Sequence, residues 1–222
     1  MSELKAVLAE MRALRNPENV AGMKRFGIAA TNALGLTTPE IRRIARNIGR
    51  NQPLAEQLWK TGIHDARILA SMVASPAEIS RATMDQWASE FDSWDVCDGC
   101  SYGLFDSTRW AESKIRKWAK DKREFVRRAA FAIMAGKAVH DKKAPDGVFL
   151  AWLPLIEQYA FDERNFVRKA VNWALRGIGK RNATLCAAAI ACGERIREQD
   201  SAPARWIAAD ALRELRARQN KA

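Results

Sequence analysis

The sequence predicts an all-α fold, built as a right-handed solenoid of paired helices. Three observations carry that expectation. Almost every segment spaces its apolar residues at helical period, and almost none alternates strictly. Only 12 Gly and 7 Pro interrupt 222 residues that are rich in Ala, Leu and Arg. A short pattern also recurs: Phe125-Val126-Arg127-Arg128-Ala129-Ala130 returns 41 residues later as Phe166-Val167-Arg168-Lys169-Ala170-Val171. That period lies in the roughly 40–47-residue range of HEAT and armadillo units. A weaker copy, Asp95-Val96-Cys97-Asp98-Gly99-Cys100, precedes the first by 30 residues and aligns Asp98 with Arg128 and Lys169. Stacked repeats set equivalent residues in a row and use the concave face for binding. The expected architecture is therefore one domain, residues 1–222, of HEAT-like repeats with a basic concave groove.

The elements follow in order. A first helix runs from Glu3 to Leu14 and stops at Asn16-Pro17. A second covers Glu18 to Ala33, with a break near Gly27. Thr38-Pro39-Glu40 opens a third, capped by Thr38 and ended by Gly49. Shorter helices are expected at Pro53–Lys60, Ile63–Ala74 and Thr83–Phe91. Ser93 opens the helix through Leu104, and Ser107-Thr108 opens another that ends near Lys122. The strong repeats occupy Glu124–Ala138 and Glu163–Ile178, with a helix near Asp146–Tyr159 between them. Ala183–Glu198 and Pro203–Arg218 close the chain. The connection from His140 to Asp146 is polar and contains Pro145, so it should be exposed.

The formal net charge is +11, and its distribution matters more than its size. Residues 1–110 hold 13 basic against 13 acidic residues; residues 111–222 hold 24 against 13. A half with that excess attracts polyanions, nucleic acid first among them, although a solvated helix surface accounts for charge equally well. No apolar run approaches the roughly 20 residues of a membrane span, and the amino terminus lacks a signal-peptide core. A cytoplasmic protein without membrane contact is expected, with a monomer as the default.

Cys97-x-x-Cys100 has the spacing of half a zinc site, but no second pair with suitable spacing follows, and His64 and His140 lie in unrelated segments. On a helix, Cys97 and Cys100 are i, i+3 neighbours on a core face. No metal or cofactor is expected.

Trp94 and Asp98 are one helical turn apart, and Trp173 follows Lys169 by one turn. The aligned row thus offers two indoles, a carboxylate and the cations Arg128 and Lys169. Cations hold phosphates without reading sequence. Indole faces attract positive charge and pack against sugars. A carboxylate between them can stabilise a cationic centre or orient a water. That set suits cleavage of an N-glycosidic bond through an oxocarbenium-like transition state. A purine alkylated on a ring nitrogen already bears positive charge and leaves without a strong general acid. The plainer alternative makes both tryptophans core residues and both cations surface charges.

At these residues the chain resembles the AlkD-like DNA alkylation repair family, the HEAT-repeat glycosylases for alkylated purines. Trp94-Asp95-Val96-Cys97-Asp98 matches its W-D-x-x-D signature, and Arg128-Ala129-Ala130 is similar to its R-A-A helix. Lys169-Ala170-Val171-Asn172-Trp173-Ala174-Leu175-Arg176 resembles its K-A-x-x-W-x-L-R helix. Phe26-Gly27-Ile28 and the run from Gly35 to Arg42 are similar to its amino-terminal helices. The likeness spans roughly residues 20 to 182.

The resemblance implies Asp98 as catalytic carboxylate, with Trp94 and Trp173 against the sugar and the cationic lesion. It places Arg128 near a phosphate and implies 3-methyladenine- and 7-methylguanine-type lesions in double-stranded DNA, removed without a metal. Arg127, Arg168, Lys169, Arg176, Lys142 and Lys143 are the further DNA-contacting candidates. A HEAT-repeat protein that binds damaged or branched DNA without cleaving it shares the basic groove and stays open, as does a protein–protein scaffold.

Overall fold

The computed structural model describes residues 2–28 and 31–220. They form fourteen α-helices and two 3-10 turns, with no strand among the described residues. The chain divides into two compact units, Met1–Arg109 and Trp110–Ala222. The charge divides with it: the first unit balances its ions, and the second carries the whole excess.

The first unit contains α1 (Glu3–Ala13), α2 (Pro17–Met23), α3 (Thr38–Ile48), α4 (Gln52–Lys60), α5 (His64–Val73), α6 (Arg81–Ser89) and α7 (Trp94–Ser101). Helix α5 is its hub, packing on α3, α4 and α7. The core is aromatic: Trp59 and Trp87 stack with centroids 4.3 Å apart. The Trp59 indole donates to Glu90 at 2.9 Å, and the Arg67 guanidinium lies 5.0 Å above its ring. Cys97 and Cys100 are both buried and form no disulfide. Burial pushes the Cys100 thiol well above its usual pKa, which keeps it protonated and inert.

In this unit two elements differ most from the sequence reading. The second helix ends at Met23 rather than Ala33, because a 3-10 turn, Lys24–Phe26, feeds Gly27 in the left-handed region at φ 71°. Residues 31–33 are not helical; 29 and 30 lie outside the described residues. The cap of α3 is Thr37, not Thr38: its backbone N–H and hydroxyl both donate to Glu40 at 2.7 Å.

The loop before α3 is held from three sides. Asp65 accepts the backbone N–H groups of Leu34 at 2.6 Å and Leu36 at 2.8 Å. Asn19 donates to the Gly35 carbonyl at 2.9 Å. The Asn16 N–H donates to the Leu34 carbonyl at 2.8 Å. Gly35 itself has φ 81°, and a Cβ there would stand 2.3 Å from the Asn16 carbonyl oxygen, so only glycine fits.

The second unit contains α8 (Ala111–Trp118), α9 (Glu124–His140), α10 (Asp146–Leu150), α11 (Leu153–Gln158), α12 (Asn165–Gly179), α13 (Ala183–Arg197) and α14 (Ala202–Gln219). The expected single helix near Asp146–Tyr159 is two short ones, because Trp152-Leu153-Pro154 restarts the chain with proline in the first turn. Helix α9 lies along α12, as the 41-residue period requires, and the equivalent rings of Phe125 and Phe166 touch with centroids 5.5 Å apart. Gly177 faces α9, where a Cβ would meet the Ala138 methyl at 3.5 Å, an ordinary van der Waals contact.

Candidate functional site

Helix α7 carries two of the expected catalytic residues. Ser93, fully buried, begins it in extended conformation, and its hydroxyl donates to Asp95 at 2.7 Å. The same Asp95 oxygen accepts the Val96 N–H at 2.9 Å, satisfying a first-turn donor. The other oxygen meets His64 Nε2 at 2.8 Å, fastening α7 to α5. Trp94 and Asp98 then project one turn apart, both half-buried. The Trp94 indole is fixed by donation to the Phe26 carbonyl at 3.0 Å, although Phe26's own ring is 70% exposed.

His64 was expected in an unrelated segment, and the structure corrects this: it is buried and bonded to the residue beside Trp94. Burial alone would push the imidazolium pKa down. The hydrogen bond that His64 donates to Asp95 and the charges of Asp95, Asp65 and Asp92 outweigh burial and hold it up. For Asp95, burial would raise the pKa; the His64 bond and charge, with Ser93 and the Val96 N–H, leave it lowered. The available signal was spacing, since Ile63-His64-Asp65-Ala66-Arg67 stands 31 residues before Trp94-Asp95-Val96-Cys97-Asp98.

The second unit holds the other candidates. Arg128 on α9, read from the sequence as a cation for a phosphate, is only 6% exposed, and its Nη1 donates to the Phe166 carbonyl at 2.5 Å. It links the repeats rather than standing out from them. Arg127 is also engaged: it pairs with Asp162 at 2.6 Å and lies 4.7 Å above the Tyr159 ring. Asp162, buried and also bonded by Arg164, has its carboxyl held below the usual range, since those two arginines outweigh the effect of burial.

On α12, Arg168 stacks 4.8 Å over Trp206 and bonds Asn165 at 3.1 Å. Arg176 pairs with Asp210 at 3.2 Å and Glu214 at 2.9 Å. Lys169 is exposed with no ion pair among the described residues, and Trp173 stands half-buried one turn after it. Lys142 and Lys143 are exposed in the turn after α9. Among the described residues, the exposed cations of the expected set with no ion pair are thus the three lysines, whereas the arginines are bound within the fold.

A family model described as DNA alkylation repair enzyme matches residues 7–215. The chain belongs to the DNA alkylation repair enzyme family. The match extends the resemblance read from the motifs to nearly the whole chain. No curated protein matches it at a significant level. A solved structure, from a new family of proteins related to the HEAT-like repeat DNA glycosylases with affinity for branched DNA structures, matches with a TM-score of 0.79. It is 19% identical and covers 98% of this chain and 96% of that chain. The DNA alkylation repair member described here therefore shares the HEAT-like helical fold of that protein.

Among the described residues no helix is long and apolar enough to cross a membrane, and no group of three or more His, Cys, Asp or Glu is placed to hold a metal ion.

Proposed function

We propose that this protein is a monofunctional DNA glycosylase that releases cationic alkylated purines from double-stranded DNA. The observation that carries the reading is the pairing on α7: Trp94 and Asp98 lie one turn apart, half-buried, with the indole fixed by the Phe26 carbonyl. Family membership supports it. A carboxylate beside an immobilised indole is a preorganised environment for positive charge.

As the C1′–N bond breaks, its electron pair neutralises the alkylated base, and the sugar becomes cationic. Asp98 stabilises that cation and orients the water that adds to C1′, whose proton passes to solvent. Trp94 and Trp173 pack against the sugar and the lesion. Lys169, Lys142 and Lys143 hold phosphates; Arg127, Arg128, Arg168 and Arg176 serve mainly to fix the helices that present them.

The test is release of free base from methylated duplex DNA. Release by the wild-type chain and its loss in Asp98→Asn support the assignment; equal release by both removes it. Binding of branched DNA without cleavage is the competing reading, favoured by the affinity of the structural relative. Tight binding of a four-way junction with no base release from any alkylated duplex would establish that reading instead.

A further inference from the structure

The internal repeat continues beyond α12. Residues 167–176 on α12 return 37 residues later on α14, as Ala204-Arg205-Trp206-Ile207-Ala208-Ala209-Asp210-Ala211-Leu212-Arg213. Every buried apolar residue of the first segment falls on a buried residue of the second, and α12 packs on both α9 and α14. In this register Trp206 corresponds to Lys169, as Lys169 corresponds to Arg128. The last repeat thus carries an indole at the position where the two before it carry cations.

Trp206 is 39% exposed, whereas the other seven tryptophans are buried or half-buried. The Arg168 guanidinium lies 4.8 Å from its ring centroid and is bonded to Asn165 at 3.1 Å. Arg168 Nε is buried with no hydrogen bond among the described residues, which leaves the indole face to compensate that edge of the guanidinium. One turn further along each helix, Asn172 donates to Asp210 at 2.7 Å. Helix α14 is thereby clamped to α12, and the indole is oriented before anything binds.

Cations neighbour the ring along both helices. Lys169 is exposed with no ion pair among the described residues. Arg205 is exposed and pairs at 3.3 Å with Asp200, itself fully exposed, where the attraction is weak. A single exposed ring needs no explanation. A ring oriented by an arginine within a row of cations suits a nucleic-acid strand, with phosphates on the cations and a base on the ring.

We propose that Trp206 is a stacking platform for an unpaired base of DNA, with Lys169 and Arg205 on the flanking phosphates. Arg168 is a positioning residue that holds the indole and leaves its remaining surface to the base. A base inside a duplex is stacked on its neighbours and offers no free face, so the platform distinguishes DNA with an unpaired segment from a continuous duplex. The inference rests on the DNA binding common to both readings above, not on base release.

The test is fluorescence anisotropy of the full chain on a duplex with a short thymidine overhang and on the same duplex with an equally long abasic overhang. The two carry equal charge and differ in their bases. The expected result is an affinity about tenfold higher for the thymidine overhang, the size of one base stacked on an aromatic ring. Trp206→Ala should abolish that preference and Trp206→Phe should keep most of it. Trp206→Lys, which restores the cation of the preceding repeats, should abolish it while binding the fully paired duplex at least as tightly as the wild type. Equal affinities for the two overhangs in the wild type, or an undiminished preference in a folded Trp206→Ala, would overturn the proposal. Base release from methylated duplex without the overhang preference removes the platform and leaves the glycosylase reading; the preference without base release does the reverse.

Discussion

His64 Nε2 and Asp95 Oδ2 meet at 2.8 Å and join α5 to α7 immediately beside Trp94. The pKa of His64 is raised, so its share of stability is full below about 6.5, its unfolded value, and fades as pH rises through the folded value. That of Asp95 is lowered, so its share is full above about 3.9 and is lost as pH falls through the folded value. The pair should stabilise the protein most between those limits. Thermal melts of the wild type and His64→Asn across that range should differ most in the window and converge as pH rises above it. A constant difference at every pH would mean that His64 acts by packing alone.

Asp98 and Trp173 are both half-buried, so their replacement should spare the fold. Asp98→Asn keeps shape and removes charge; base release should fall roughly 100-fold, as when one electrostatic group is taken from a preorganised site. Trp173→Ala should cost about tenfold through lost contact with the cationic lesion. Single-turnover release from methylated duplex, with circular dichroism as the folding control, checks both.

The lysines and arginines of the second unit should separate in their effects. Lys142→Ala and Lys143→Ala leave the fold intact and should each lower the salt slope of DNA binding by about 1. Arg176→Ala removes a partner from both Asp210 and Glu214 and should appear in the melting temperature. Filter binding at several salt concentrations, alongside denaturation, distinguishes the two classes.

Asp162 is 4% exposed and receives both Arg127 and Arg164. Asp162→Ala leaves two guanidinium groups without their shared carboxylate and should destabilise the protein by about 3 kcal/mol. Urea denaturation measures it; a loss below about 0.5 kcal/mol would show that the arginines find other partners.

The helical class and the α9–α12 register were legible because a repeat fixes neighbours as well as periods: Phe125 and Phe166 had to meet once the 41-residue spacing was recognised. The Trp94–Asp98 spacing was equally legible, since a helix settles where i and i+4 stand. What stayed hidden depended on partners distant in sequence. Arg128 reads as a surface cation until the Phe166 carbonyl is seen beside it. His64 reads as isolated because its carboxylate lies 31 residues away on another helix. The break near Gly27 was read, but α2 was carried past it because the alanines that follow favour a helix, while Gly27 turns the backbone left-handed.

The glycine at position 35 has a consequence for how the first unit moves. With Asn16, Asn19 and Asp65 all holding its loop and no room for a side chain, that segment is a fixed strap, not a hinge. The start of α3 is thereby tied to α2 and α5, and should open together with them rather than swing alone.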